Sequence, residues 1–289
     1  MYQIRPGRVA TIKGTMIQYL YLGRVGYDEA LRLQAEMTEL RQQGRVQNVL
    51  LLLEHPPVLT LGRNAHRSNV LASDELLARR GVTLHEINRG GDVTYHGPGQ
   101  LVGYPIFDLR SLHNESGGRL GPVDFVRRME EALIRLCGHF GVRAGRIKGL
   151  TGVWCGLDAD ASPAPERKIC AIGIHVARGI TSHGFAFNVT TDLRDFGLII
   201  PCGIPDHPVT SLEKEMQHPE PLPGLEAVAE EAARQFGLVF DEQVLAVPSL
   251  AALRAQAAAA PQFPAEDTPL QVPPEVERLH GAKDRPVQA

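Results

Sequence analysis

The sequence predicts a mixed α+β organisation, on three observations: two long stretches with apolar residues at helical spacing, several short apolar runs bounded by turn formers, and no internal repeat. Its 289 residues suffice for one large domain, or for one domain with an appendage. Hydrophobic residues at 43% and charged residues at 22% are ordinary for a globular chain, so disorder throughout is excluded.

The first helix is expected from Tyr27 to Gly44. Ala30, Leu31, Leu33, Met37 and Leu40 recur near helical spacing, Asp28 and Glu29 occupy the first turn, and Gly44 stops the run. The stretch "NVLLLLEHPPVLTLGR" is apolar and unbroken up to Pro56 and Pro57, then resumes with Val58, Leu59 and Leu61, which predicts two buried strands around a turn. A second amphipathic helix runs from Val123 to Phe140, with Phe125, Met129, Leu133, Leu136 and Phe140 on one side. Strands are expected at Lys168–Val176, "KICAIGIHV", and at His183–Val189, "HGFAFNV". "GLDADASPAPERK", rich in Asp, Ala, Pro and Ser, reads as a solvated hairpin loop, and Gly224–Phe236 as a further helix. Together these define one catalytic-sized domain over residues 1–245. Residues 246–289 become Ala-rich and then Pro-rich, which reads as a helix followed by a disordered extension with too few large apolar residues to bury.

Charge and missing motifs narrow the function. A formal net charge of -3 gives no global cationic field, so neither nucleic acid nor an anionic membrane is an expected partner. No apolar run approaches the ~20 residues that span a bilayer; the strongest, Val49–Leu53, is followed by Glu54. The start "MYQIRPGRVA" lacks the pattern of a secretory signal, and a cytoplasmic protein is expected. Cys137, Cys155, Cys170 and Cys202 form no CxxC pair and are expected as free thiols.

One run, "RGGDVTYHGPGQLVGYP" from Arg89 to Pro105, admits two readings. It is either a glycine-rich turn joining two strands or a binding loop in which glycine lets backbone N–H groups approach a ligand closely, with Arg89 and His96 adding polar contacts. It is neither a dinucleotide fingerprint nor a phosphate loop, since the glycine spacing differs and no G-K-[ST] ending is present.

Covalent chemistry points to the cysteines. No GxSxG elbow supports a serine nucleophile, and no HxH, HExxH or CxxC pairing supports a metal. Cys137 lies among Leu133, Leu136 and Phe140 and reads as core; Cys155 and Cys170 read the same way. Cys202, in "IIPCGI", stands at the end of an apolar strand and immediately before Gly203, where a turn would present its side chain at an edge. Packing and function both remain open for it. A thiol with an ordinary pKa of ~8.5 is only a few per cent thiolate at neutral pH, so a functional Cys202 needs a nearby cation. Lys168, at the start of its strand, is one candidate, and a solvated surface charge is the other reading of it.

Taken together, "RGGDVTYHGPGQLVGYPI", "GVWC", "RKICAIGIHV", "HGFAFNV" and "IIPCGI" with "VTSL" resemble the octanoyltransferase family of lipoate biosynthesis, in that family's order from Tyr27 to Leu212. The resemblance implies an α+β fold similar to lipoate-protein ligases and biotin protein ligase catalytic domains: a mixed β-sheet flanked by helices, with the acyl pocket between sheet and loop. It implies an acyl-accepting cysteine at Cys202 and an activating lysine at Lys168. It implies substrate-lining segments at Arg89, Gly90, Gly91, Asp92, Val93, Thr94, Tyr95 and His96, at Ala171, Ile172 and Gly173, and at Gly184, Phe185 and Ala186. The sequence departs from the family at Cys155 and Cys170, where aliphatic or small residues are more usual, and after Leu212.

The chemistry that the resemblance implies needs no ATP, metal or other cofactor. A Cys202 thiolate attacks the thioester of octanoyl-acyl carrier protein, and a lysine of a lipoyl domain then takes the acyl group; the acceptors are lipoyl domains of 2-oxoacid dehydrogenase complexes and the glycine cleavage H protein. Ile172, Phe185 and Phe187 are expected to line the eight-carbon slot, His96 and His183 to orient substrates, and Arg63, Arg67 and Lys148 to form a cationic rim for an acidic carrier protein. The alternatives are an ATP-dependent lipoate or biotin ligase on the same fold and a non-catalytic module that binds carrier protein or lipoyl domains.

Overall fold

The computed structural model describes residues 16–114, 117–157, 165–204, 206–216 and 222–260. Strand β1 (Met16–Arg24) leads through Gly26 into helix α1 (Tyr27–Gln42), where Asp28 and Glu29 near the N-terminus and Arg41 near the C-terminus suit the helix dipole. Strand β2 (Asn48–Glu54) is buried along nearly its whole length. Pro56 and Pro57 then turn the chain out of that sheet. Strand β3 (Val58–Leu61) belongs to a second, three-stranded sheet with β4 (Thr83–Glu86) and β5 (Val93–His96); the short helix α2 (Asp74–Arg79), capped by Ser73, lies between β3 and β4 in the chain. The two strands expected around the proline turn are therefore present, in different sheets.

Strand β6 (Gln100–Ile106) returns to the large sheet, and α3 (Pro122–His139) starts with proline in its first turn. Strands β7 (Gly145–Ile147), β8 (Leu150–Cys155), β9 (Arg167–Ala177) and β10 (Ile180–Asn188) follow. The hairpin loop expected over 156–168 joins β8 to β9, and its residues 158–164 lie outside the described residues. Arg178 and Gly179, both at positive φ, make the tight turn between β9 and β10. Helix α4 (Leu212–Glu215), helix α5 (Leu225–Phe240), strand β11 (Gln243–Ala246) and helix α6 (Leu250–Ala259) complete the described chain.

The large sheet runs β11-β1-β2-β6-β10-β9-β8-β7. Pairing is parallel across β11, β1 and β2 and antiparallel from β2 onward. Its two faces bury separate clusters. Leu50, Leu52, Leu101, Phe107 and Phe187 pack with Phe125 and Met129 of α3 and Phe236 and Phe240 of α5; Val49, Leu51, Leu53, Val102 and Ile106 pack with Ala30, Leu33 and Met37 of α1. Both sides of β2 are thus covered, which is why it reads as an unbroken apolar run rather than an alternation. Residue 245 falls within β11, and α6 beyond it buries Leu253 and Ala257 in the α1-side cluster; residues 261–289 lie outside the described residues.

Candidate active site

Cys202 sits in a single 3-10 turn, Pro201–Gly203, rather than at the end of a strand. The preceding Leu193–Leu198 is also 3-10, and Ile200 is held where its N–H donates to the Asn69 carbonyl at 2.8 Å. Cys202 adopts φ 58°, ψ 16°, the left-handed region that costs a non-glycine residue roughly 1–3 kcal/mol. Gly203 is left-handed as well, and a side chain there would run into the Asp92 carboxylate. Asp92 ties these loops together: it accepts from Asn69 Nδ2 at 2.5 Å, from the His66 N–H at 3.3 Å and from the Val93 N–H at 2.7 Å.

Lys168 enters the same cavity from the sheet. Its backbone N–H donates to Pro208 O and its carbonyl accepts from Thr210 N, both at 2.9 Å, which fixes this end of β9 against the segment before α4. The side chain is 7% exposed, and Nζ lies 4.6 Å from the ring centroid of Trp154. Lys168, Cys202, Thr94, Gln100, Ala171, Ala186, Asn188, Phe196, Pro201 and Val209 line one small chamber. The folding of two distant segments thus brings the two expected catalytic side chains to one chamber.

A second chamber adjoins it, with Thr94, Ala171 and Ala186 forming walls of both. Its sheet side is made of small residues, Ala171, Gly173, Gly184 and Ala186, paired across β9 and β10 as Ala171 with Ala186 and Gly173 with Gly184. Ile172 and Phe185 contribute apolar surface, and Arg89, His96, His183, Tyr27 and Tyr104 supply polar groups. Phe187 points to the opposite face and belongs to the α3-side core.

The run Arg89–His96 is not one loop. Val93–His96 is strand β5, and strand alternation splits its side chains: Thr94 and His96 line the chambers, while Val93 and Tyr95 face the small-sheet core, where Tyr95 OH donates to Asp195 Oδ2 at 2.8 Å. Gly90 and Gly91 form the turn before β5; Gly90 N donates to Ile174 O at 2.9 Å, and a side chain at Gly173 would strike the Gly90 carbonyl. The glycine-rich part is therefore a strand, a Gly97-Pro98-Gly99 turn and strand β6. Of the eight residues from 89 to 96, Arg89, Thr94 and His96 line the chambers and Asp92 acts through the loops it holds.

A chain of buried hydrogen bonds stiffens this side of the sheet. Arg89 Nη2 donates to Thr60 O at 2.7 Å and to Thr60 Oγ1 at 2.9 Å; His96 Nδ1 donates to Gln100 Oε1 at 2.8 Å; Gln100 Nε2 donates to Asn188 Oδ1 at 2.9 Å; Asn188 Nδ2 donates to Thr210 O at 2.9 Å. Burial pushes three imidazoles down, His96 to about 3, His55 to about 4 and His183 to about 4, so all are neutral at pH 7. His183 Nε2 donates to Asn88 Oδ1 at 2.7 Å, and His55 Nε2 accepts from Tyr104 OH at 2.7 Å. Arg89 is pulled below its ordinary value by burial, against the opposing influence of Cys202, Tyr27, Asp92 and Tyr104.

The other cysteines are buried in the core. Burial raises all three, Cys155 to about 12, and leaves them poor nucleophiles. Of the expected cationic rim, Arg67 pairs with Asp74 at 2.6 Å, and Arg63 and Lys148 are exposed. Sequence reading missed Tyr27, Val102, Tyr104, Gln100, Trp154 and Asn188. Tyr27 reads as a helix start and Trp154 as part of a strand, and no spacing rule marks either as facing a cavity.

This sheet, with a cysteine and a lysine lining one chamber beside a slot of small residues, belongs to a defined class: the lipoyl protein ligase A/B catalytic domain, whose family model matches residues 26–237. Solved structures share the fold. Lipoate-protein ligase A bound with ATP aligns with a TM-score of 0.61 at 15% identity, over 84% of this chain and 93% of that one. A bi-partite lipoate protein ligase from Thermoplasma acidophilum aligns at 0.60 and 16% identity, over 85% and 91%. The octanoyltransferase of Acidobacterium capsulatum is 63% identical over 232 residues, 80% of this chain and 92% of the relative. That of Koribacter versatilis is 51% identical over 265 residues, 92% and 97% of the two chains. The chain belongs to the octanoyltransferase family and is an enzyme of lipoyl or octanoyl transfer in protein lipoylation.

Proposed function

We propose that the chain moves an octanoyl group from octanoyl-acyl carrier protein to a lysine of lipoyl domains, through an acyl-enzyme on Cys202. The acceptors in this reading are the lipoyl domains of 2-oxoacid dehydrogenase complexes and the glycine cleavage H protein. The observation that carries it is the convergence of Cys202 and Lys168 on one chamber that opens into the Ala171–Gly173 and Gly184–Ala186 slot. The site of action in this reading is the cytoplasm.

The Lys168 ammonium stabilises the Cys202 thiolate, which attacks the thioester carbonyl of the donor. A carbon–sulfur bond to Cys202 forms, the bond to the donor sulfur breaks, and the leaving thiolate takes the proton of Lys168. Neutral Lys168 then accepts a proton from the attacking amine of the acceptor lysine as the carbon–nitrogen bond forms and the Cys202–acyl bond breaks. The cycle ends with thiolate and ammonium restored. Arg89, Thr94, Ala171, Gly173, Gly184 and Ala186 bind and align the acyl chain, each buried CH₂ adding about 0.8 kcal/mol.

Incubation with octanoyl-acyl carrier protein and a lipoyl domain, with and without ATP, tests the reading. Equal octanoylation in both arms is the expected result. Transfer from free octanoate that requires ATP would assign the chain to ligase chemistry instead, and binding without turnover would make it a docking module.

A further inference from the structure

An ammonium that is to activate a thiol must be held in one place and kept charged. Lysine resists both demands, since its four-carbon stem is flexible and burial favours the neutral amine. Lys168 is 7% exposed, so its ammonium depends on the groups packed around it for a place.

We propose that Trp154 is the positioning residue for Lys168: the face of its indole holds the ammonium beside Cys202 and favours its charged form. This rests on the assignment of Cys202 and Lys168 made above and deepens it. Trp154 and Lys168 are direct cross-strand partners in the register of β8 and β9, so their side chains rise side by side. The ring is completely buried, and Nζ lies 4.6 Å from its centroid, within the range of a cation–π contact. The indole N–H has no hydrogen-bond partner among the described residues. Its polar edge therefore does not explain the placement of the ring, whereas its face meets the cation.

The neighbours agree with this role. Gly152, at φ 126°, lies against the lysine stem: a side chain there would touch Cε and Cδ of Lys168 only at ordinary contact distance, 3.5 and 3.7 Å, but would run into the Cys170 carbonyl. The N–H of Gly152 donates to Oε1 of fully buried Glu130 on α3 at 3.0 Å, and Arg127 and Arg146 hold the other carboxylate oxygen at 2.7 and 3.0 Å. On a further side of the indole, the His207 ring makes an edge contact at 5.3 Å, with its Nδ1 3.8 Å from Glu166. The titratable and charged groups facing the pair are therefore Cys202 in its 3-10 turn, Cys170 on β9, Glu130 on α3, Arg89 before β5, and His207 with Glu166 beyond the ring.

The chain contains a single tryptophan. Growth on mono-, di- and trifluorotryptophan thus weakens the negative face of this one ring while leaving its shape nearly intact. The readout is the pH midpoint for alkylation of Cys202 by iodoacetamide, located by peptide mass spectrometry, in the full chain. We expect the midpoint to climb stepwise with fluorine number, Trp154→Phe to shift it less than Trp154→Leu, and Trp154→Leu to raise it by about one pH unit, the scale of a partly desolvated cation–π contact. A midpoint indifferent to fluorination, in protein whose midpoint does rise in Lys168→Ala, overturns the role of Trp154 and leaves the cysteine–lysine pair standing. A midpoint that Lys168→Ala itself fails to move overturns the pair, and the proposal with it. The fluorinated proteins decide the question even if Trp154→Leu does not fold.

Discussion

The two faces of strands β6, β10 and β9 are built on opposite plans. Under α3 and α5 the face is dry: Phe185 stacks with Phe236, Phe236 with Phe240, and Phe107 meets Phe125, at centroid distances of 5.6, 5.7 and 5.8 Å. Toward β5 the same strands present Gln100, Ala186, Asn188, Ala171 and Lys168, and the surroundings are hydrogen-bonded, hollow and locally strained. One sheet thus carries a ring-filled core on one face and, on the other, beside the part packed by α1, a cavity, buried polar groups and a left-handed cysteine.

Acid should separate the faces most strongly. Folding depresses the pKa of His55, His96 and His183 to about 4, 3 and 4, so below about 6.5 the unfolded chain binds protons that the folded chain refuses. Stability that is fully present above 6.5 is therefore lost as the pH falls, by up to about 1.4 kcal/mol per pH unit for each imidazole. Urea titrations at pH 7 and 5 measure this, and equal stability at the two values would mean that the imidazoles reach water. Phe236→Ala comes next: it should cost about 3–5 kcal/mol in the same titration, with transfer per folded molecule unchanged. A change in KM as well would show that the loss reaches the slot through Phe185, which stacks on Phe236 and lines it.

Gly103→Ala sharpens the comparison, because its side chain would enter the ring of Phe185, which packs in the dry core and also lines the slot. We expect a loss of about 1–3 kcal/mol together with a raised KM for the octanoyl donor. The smallest effect on stability should come from Cys202→Gly. Relief at φ 58° offsets the greater freedom of glycine in the unfolded chain, so stability holds or rises by up to about 1 kcal/mol while transfer disappears. A substantial destabilisation would identify Cys202 as a packing residue.

The dry face was legible in the sequence because it obeys periodicity. Phe125, Met129, Leu133 and Leu136 recur at helical spacing, and β2 shows its two-sided burial as an unbroken apolar run. The site was legible only through short motifs. Cys202, Lys168 and the two slot segments follow from the family resemblance, but no local pattern reveals that β5 alternates, turning Thr94 and His96 to the cavity and Val93 and Tyr95 away. Tyr27, Tyr104 and Trp154 were invisible for the same reason, since what places them is cross-strand register and the packing of α1, set by contacts between distant residues. Asp92 shows how a motif residue can serve the site without facing it: it fixes the loops on which Cys202 stands.

The central claim is that the Cys202 sulfur carries the acyl group. Mixing the protein with octanoyl-acyl carrier protein, without acceptor or ATP, and mapping peptides by mass spectrometry tests it most directly. The account predicts one octanoyl group on the peptide containing Cys202, removed by hydroxylamine and absent in Cys202→Ala. An octanoyl group that persists in Cys202→Ala, or one that settles on Cys137, Cys155 or Cys170, would contradict it.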